Sequence, residues 1–308
     1  MMMDSIRIFS PATVANVSCG YDAMGFALDT LGDDMVFTKT ANKTITITKI
    51  EGAKLPYECH KNAASAVAKL LLDECQADFG LNIEIYKNFK PGSGLGSSAA
   101  SASGAAFAVN ELLGRPYSNL ELVKFAMQGE IVACGSAIAD NVAACLYGGF
   151  ILVRSYEPLD IVSIPTPDEL FAAIIHPQIE IKTEDARAIV PKTIPVKTAI
   201  KQWANVGGLI SGLYEKNYET IGNSLQDLVA EPYRKQLIPH FDDVKKVSLK
   251  AGALGFGISG SGPSMFTLNN GETTAIKVAK AMTSVYNGTG IAFNIHKSQI
   301  AKKGVRIR

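Results

Sequence analysis

The sequence predicts an α+β fold in two domains. Three observations carry that prediction. Strand-type and helix-type apolar periods are interspersed without strict β-α-β alternation, which argues against a doubly wound parallel sheet. A length of 308 residues is material for about two domains. Near the middle, Gly148–Gly149, an apolar run and then Pro158, Pro165 and Pro167 break the pattern. The expected domains are therefore 1–160 and 161–308.

Each element has its own local reason. Residues 6–9 and 44–50 are rich in β-branched side chains and read as strands. NAASAVAKLLLDEC at 62–75 has helical periodicity, with Asn62 as its N-cap. LNIEIY at 81–86 alternates, with Leu81, Ile83 and Ile85 on one face and Asn82, Glu84 and Tyr86 on the other, as in a half-buried strand. PGSGLGSSAASASGAAF at 91–107 follows, and its Ala/Ser run predicts a helix from Ser97 to Leu113, stopped by Gly114. Ser118 opens SNLE, a capping box with Glu121, so another helix starts there. Residues 147–164 read as strand and loop. The second half predicts a strand at 170–175 and helices near 199–214, 218–229 and 241–251. After them come the glycine-rich GFGISGSGPSMFTL at 255–268, a helix at 272–286 and a last strand near 290–295.

Composition narrows the function classes. Hydrophobic residues make up 47% and charged residues 19%, with a net charge of +1, so neither a nucleic-acid groove nor an anionic membrane surface is expected as partner. The basic tail (Lys302, Lys303, Arg306, Arg308) reads as a solvated end. MMMDSIRIF lacks the apolar centre of a signal peptide, and Asp140 interrupts the least polar stretch, 131–153, so no membrane span is expected. Cys19, Cys59, Cys75, Cys134 and Cys145 are odd in number and have no ligand spacing, as for reduced thiols of a cytosolic protein. The four histidines are scattered, which argues against a protein-built transition-metal site.

The order strand, glycine-rich loop, helix N-terminus at 81–101 admits two readings. One is a phosphate cradle: glycines let a ligand approach the backbone, the first helical turn offers unpaired N–H groups, and Ser97 and Ser98 add hydroxyls. The other is a tight turn into a closely packed helix. A Walker A loop is excluded, since the chain contains no Gly-Lys pair. A Rossmann fingerprint fails because Ser97 stands at its sixth place and no acidic residue ends a strand about twenty residues on. Lys87 and Lys90, just upstream, read as exposed lysines able to neutralise phosphate.

Two acidic positions stand out. Glu130 lies seven residues after Val123, on the apolar face of the helix that begins after Ser118. It either ligates a cation such as Mg²⁺ beside bound phosphates or is solvated beyond a helix end near Gly129. Asp140–Asn141, set among small and apolar residues, is either a second functional site or a helix cap.

SPATVANVSCGYD at 10–22, PGSGLGSSAAS at 91–101 and ISGSGPS at 258–264 together resemble the three motifs of the GHMP kinases. GE at 129–130, ADNVA at 139–143, EDAR at 184–187 and EPYRKQLIP at 231–239 resemble in particular the branch of that family that phosphorylates homoserine. The resemblance implies an N-terminal domain with a left-handed βαβ unit, a ferredoxin-like C-terminal domain, and ATP in a cleft between them. It places the phosphates against Pro91, Gly92, Ser93, Gly94, Leu95, Gly96, Ser97, Ser98, Ala99, Ala100 and Ser101, together with Gly260, Ser261 and Gly262. It puts Asn62 near the purine and Mg²⁺ on Ser98 and Glu130.

For L-homoserine, the resemblance implies Arg187 and Arg234 on the carboxylate, Asp22 on the ammonium, and Asn16 and Asn141 beside the hydroxyl. Asp140 and Asn141 are the implied catalytic pair. A zwitterionic alcohol needs these groups. Ile138 departs from the histidine usual in the family, which puts part of the amino-acid pocket in question. The implied reaction is in-line transfer from ATP to L-homoserine, in threonine biosynthesis, by a cytoplasmic homodimer. The alternatives are another GHMP small-molecule kinase, such as one acting on mevalonate, and a non-catalytic nucleotide-binding regulator.

Overall fold

A computed structural model describes residues 4–308. The first half builds a seven-stranded sheet from β1 (Ser5–Ala15), β2 (Met24–Thr40), β3 (Ile45–Glu51), β4 (Gly80–Tyr86), β5 (Phe150–Tyr156) and β6 (Leu159–Ile164), with β11 (Arg306–Ile307) from the far end of the chain. The main path is β11-β1-β2-β4-β3, and β5 joins it through β2. β3 and β4 run parallel, with α1 (Ala63–Glu74) crossing between them. α2 (Ser97–Leu112), α3 (Asn119–Cys134) and α4 (Ala139–Tyr147) pack with α1 against this sheet. The 16 residues of α2 are nearly all buried, and most are Ala, Ser or Gly. Their small size lets three helices and a sheet approach one another closely.

The second half builds a four-stranded antiparallel sheet in the order β10-β7-β9-β8 from β7 (Leu170–Pro177), β8 (Gly255–Ile258), β9 (Met265–Asn270) and β10 (Phe293–Gln299). With α9 (Phe241–Lys250) and α10 (Glu272–Tyr286) it has the β-α-β-β-α-β order of a ferredoxin-like unit. Between β7 and α9 the chain inserts α5 (Thr183–Ala188), α6 (Val196–Glu215), α7 (Tyr218–Ser224) and α8 (Glu231–Arg234). The larger apolar core centres on Ile8, Phe26, Phe37, Leu71 and Phe150, and the smaller one on Phe241, Phe256, Met282 and Tyr286.

Where local signals were strong, the elements match. Asn62 caps α1 by accepting from Ala64 N at 3.0 Å, and Ser118 and Glu121 form the capping box of α3. Leu81, Ile83 and Ile85 are fully buried. Three readings change. The predicted helix near 218–229 ends at Ser224. The 17-residue β2 was not predicted, because Asp29, Gly32, Asp33 and Asp34 disrupt its apolar alternation. The basic tail is not a free end: β11 pairs with β1, and Arg306 and Arg308 lie over the Phe9 ring while paired with Asp29 and Asp34. No helix among the described residues is long and apolar enough to cross a membrane.

Candidate active site

A cleft of about 540 Å³ opens at the N-terminus of α2. Its floor is the loop after β4. Gly92, Gly94 and Gly96 have φ of +73°, +79° and +68°, and Gly96 is the N-cap of α2. A Cβ on Gly96 would sit 2.1 Å from Thr13 Oγ1 and 2.8 Å from Asn141 Oδ1; one on Gly94 would sit 2.6 Å from Ser259 O. Both positions therefore require glycine. Unlike α1 and α3, α2 has no side-chain cap. Its first-turn N–H groups and dipole face the cleft, as in an anion site.

Two distant segments, 10–22 and 258–264, converge on this loop. Ser259 Oγ donates to Gly94 O at 2.7 Å, Ser264 N to Ser93 O at 3.2 Å and Thr13 N to Leu95 O at 3.0 Å. Gly260 is their junction, since its N donates to Ala15 O and its carbonyl accepts from Asn16 Nδ2 at 2.7 Å. Asn16 reaches it from a backbone bend in which Asn16, Val17 and Ser18 all have positive φ. For β-branched Val17 that conformation is strained.

Lys87 was read as exposed, and the structure overturns that. Its ammonium is buried behind the loop, paired with Asp33, and donates to Ser97 O at 2.9 Å and Ser101 Oγ at 3.3 Å. Burial raises the Asp33 carboxyl, and Lys87 counters that rise. A buried pair of this kind holds the start of α2 in place.

α3 continues past Gly129 to Cys134, so Glu130 is a buried helical residue, only 5% exposed, with Oε1 unbonded. Burial pushes its carboxyl up to about 7; the Ser98 hydroxyl pulls it down, and the Asp140 charge adds to the rise. Asp140, in the first turn of α4, is 2% exposed. Burial, and after it the Asp22 charge, push Asp140 up to about 7, while Asn141 N–H and Arg187 pull it down. Thr13 Oγ1 donates to Asn141 Oδ1 at 2.7 Å, which fixes that amide; its Nδ2 donates to Asp140 Oδ1 at 3.4 Å and keeps one further N–H.

Across the cleft, Arg187 Nη2 lies 3.2 Å from Asp22 Oδ1, with both side chains about two-fifths exposed. Arg234 is buried. Its Nε donates to Ala186 O at 2.8 Å, Nη1 to Gly260 O at 3.1 Å and Nη2 to the Tyr21 hydroxyl at 3.2 Å, which leaves one N–H on each terminal nitrogen.

Most of the expected residues line this cleft: Asn16, Asp22, Asn62, Pro91, Gly92, Gly94, Gly96, Ser97, Ser98, Ser101, Glu130, Asp140, Asn141, Arg187, Arg234, Gly260 and Ser261. Ser93, Leu95, Ala99, Ala100 and Gly262 do not. Leu95, Ala99 and Ala100 are fully buried, and Ser93 and Gly262 brace the loop from behind. Asn62 spends its amide on Ala64 N and Pro56 O. Ile138 lines the wall beside Asp140. Sequence reading singled out neither Thr13 nor Tyr21, although both lie within the 10–22 motif, because their partners Asn141 and Arg234 are far along the chain. Among the described residues no three His, Cys, Asp or Glu side chains cluster as a metal cage. The orphaned Glu130 oxygen beside Ser98 suits instead a cation that brings its own phosphate ligands.

Residues 62–149 match the model of the GHMP kinases N terminal domain, and 209–288 that of the GHMP kinases C terminal domain. The chain belongs to the GHMP kinase family and is a small-molecule kinase. It is 44% identical to a homoserine kinase of Chlorobium phaeobacteroides over 99% of this chain and 100% of that one. It is 39% identical to a homoserine kinase of Methanococcus maripaludis over 92% and 94%. A crystal structure of homoserine kinase from Cytophaga hutchinsonii superposes with a TM-score of 0.96 at 48% identity, covering 100% of this chain and 98% of that one.

Proposed function

We propose that the chain transfers the γ-phosphoryl group of ATP to the hydroxyl of L-homoserine, giving O-phospho-L-homoserine and ADP for threonine biosynthesis. One juxtaposition carries the reading. An uncapped helix N-terminus beside Glu130 shares a single cleft with the Asp22–Arg187 couple, in a chain homologous end to end with homoserine kinases.

The phosphate end is built for charge. The 91–98 segment receives the phosphates on backbone N–H groups and the Ser97 and Ser98 hydroxyls. Ser98 and Glu130 would hold Mg²⁺, which when bound neutralises charge that develops on the transferred phosphoryl group. Asn62 and Pro56 form the wall nearest the purine.

At the other end Asp22 takes the substrate ammonium and Arg187 the carboxylate, replacing a screened ion pair by two substrate contacts. Arg234 adds its two remaining N–H groups. Asn16 and Asn141 orient the hydroxyl. Asp140, with its carboxyl near neutrality, accepts the proton released as the hydroxyl oxygen bonds the γ-phosphorus and ADP departs. The five free cysteines fit a reducing cytoplasm.

Mixing the protein with Mg-ATP and L-homoserine and following ADP release tests the reading. Turnover with mevalonate or galactose but none with homoserine would overturn the substrate. Nucleotide binding without ADP release in the presence of any alcohol would overturn catalysis.

A further inference from the structure

Two turns build the amino-acid end of the cleft, and neither belongs to a long element. Residues 16–22 carry Asn16, Tyr21 and Asp22, with positive φ at Asn16, Val17, Ser18 and Asp22. Residues 227–234 carry Arg234 on α8, a helix of only 4 residues. Strained backbone of the first kind keeps one geometry only where its surroundings impose it. Asn16 ties the base of the first turn to Gly260 O. Its crown is tied by Gln202, which lies on α6, 183 residues after Cys19. Gln202 Nε2 donates to Cys19 O at 2.7 Å and lies 3.4 Å from Asp227 Oδ1, while Oε1 accepts from Leu228 N at 2.9 Å. Asp227 in turn gathers the second turn around its carboxylate. Oδ1 accepts from Val229 N at 2.8 Å and Ala230 N at 3.0 Å, and Oδ2 accepts from Glu231 N at 2.8 Å. Arg234 N donates to Ala230 O, so the guanidinium starts one helical turn from that carboxylate. The two turns meet again where Arg234 Nη2 donates to the Tyr21 hydroxyl at 3.2 Å, with the guanidinium 5.0 Å from the ring centre. Neither Gln202 nor Asp227 lines the cleft.

We propose that Gln202 is a positioning residue for the acceptor substrate: one amide on the 20-residue α6 sets the spacing between the turn that carries Asp22 and the turn that carries Arg234. This role rests on the assignment of Asp22 and Arg234 to the amino-acid groups of the substrate proposed above. A primary amide suits the task, because it donates to a carbonyl and accepts from an N–H at once, with no charge added beside Asp227. An ionised glutamate could not donate to Cys19 O, and it would set a second carboxylate beside Asp227. Asp22 and Arg234 hold groups remote from the reacting hydroxyl. Their displacement weakens substrate and transition state alike, so KM for the acceptor rises and kcat changes little.

The full-length protein is assayed with Mg-ATP and varied L-homoserine. Gln202→Met keeps the unbranched apolar stem and removes all three polar contacts. Its KM for homoserine is expected to rise at least ~10-fold, with KM for ATP within ~2-fold and kcat within ~3-fold of the parent. Gln202→Glu keeps the acceptor for Leu228 N, loses the bond to Cys19 O, and should show the same split. Asn205→Ala is the control on the same helix. It frees the Gln226 carbonyl and leaves both turns bonded, so both KM values should stay those of the parent. A purely structural Gln202 would lower the melting temperature and the active fraction with KM for homoserine unchanged. That result overturns the proposal, as does an equal rise in both KM values, or a rise of the same size in Asn205→Ala. If Gln202→Met does not fold, Gln202→Glu is judged by the same criteria. If the parent phosphorylates another alcohol and not homoserine, the substrate assignment alone fails, and the same comparison with that alcohol decides the role of Gln202. If the parent phosphorylates none, amide hydrogen exchange decides it. Faster exchange of Gln202→Met in both 17–23 and 228–234 supports the role, and anything less overturns it.

Discussion

Glu130 is buried with a carboxylate oxygen that nothing in the chain bonds, a placement that destabilises the ligand-free protein. Its folded value near 7 lies above the ordinary 4.5. Stability from this group is therefore fully present below about 4.5 and is lost as pH rises towards 7. At pH 8, Glu130→Gln is expected to raise the stability of the free protein by ~1–3 kcal/mol and to lower the rate at least ~10²-fold. Chemical denaturation and steady-state kinetics check the two halves; a variant both active and no more stable would remove Glu130 from the site. The two arginines should separate in the same way. Arg187→Ala, half-exposed and paired only with Asp22, should raise KM for homoserine at least ~10-fold, leave KM for ATP unchanged and alter stability by under ~0.5 kcal/mol. Arg234→Ala also removes three internal hydrogen bonds, to Ala186 O, Gly260 O and the Tyr21 hydroxyl, and should cost ~2–4 kcal/mol of stability.

At the scale of elements, the phosphate loop works because a strand end, two glycine-bearing turns and a helix start are clamped from three sides. Gly96→Ala puts a methyl group against Thr13 Oγ1 and Asn141 Oδ1 at a φ that L residues avoid. It should cost ~1–3 kcal/mol and lower kcat at least ~10-fold, because Asn141 is displaced. Ser118→Ala is the contrast. It removes the capping box of α3 at a distance from the cleft, so it should cost ~1 kcal/mol with unchanged kinetics. Equal kinetic damage from both would mean that global softening, and not displacement of Asn141, limits the rate.

Over the whole molecule, buried histidines and buried carboxyls respond oppositely to acid. In the C-terminal sheet, burial pushes His176 down to about 4 from its ordinary 6.5, and burial lowers His296 as well. A depressed histidine stabilises the fold above about 6.5, and that contribution is lost as pH falls towards 4. Glu130 and Asp140 act the other way over a similar window. His176→Asn should therefore flatten the loss of stability between pH 6.5 and 4.5, measured by denaturant melts at a series of pH values. An unchanged acid limb would place the responsible group elsewhere.

What could be read from the chain alone follows the range of the interaction. Caps, alternation and glycine loops are neighbour effects, so α1, α2, α3 and β4 and the loop at 91–96 were legible residue by residue, and the motif resemblance supplied the family. β2 was not legible, because its acidic and glycine residues are tolerated only through pairing with β1, β4 and β5. The burial of Lys87 depends on Asp33, 54 residues earlier, and Thr13 meets Asn141 across 128 residues. Sequence by itself determined which chemical groups the protein owns and the class of fold that carries them. Tertiary structure alone decided which are buried and paired and which face the cleft, because burial and charge pairing depend on three-dimensional proximity and leave no periodic trace along the chain.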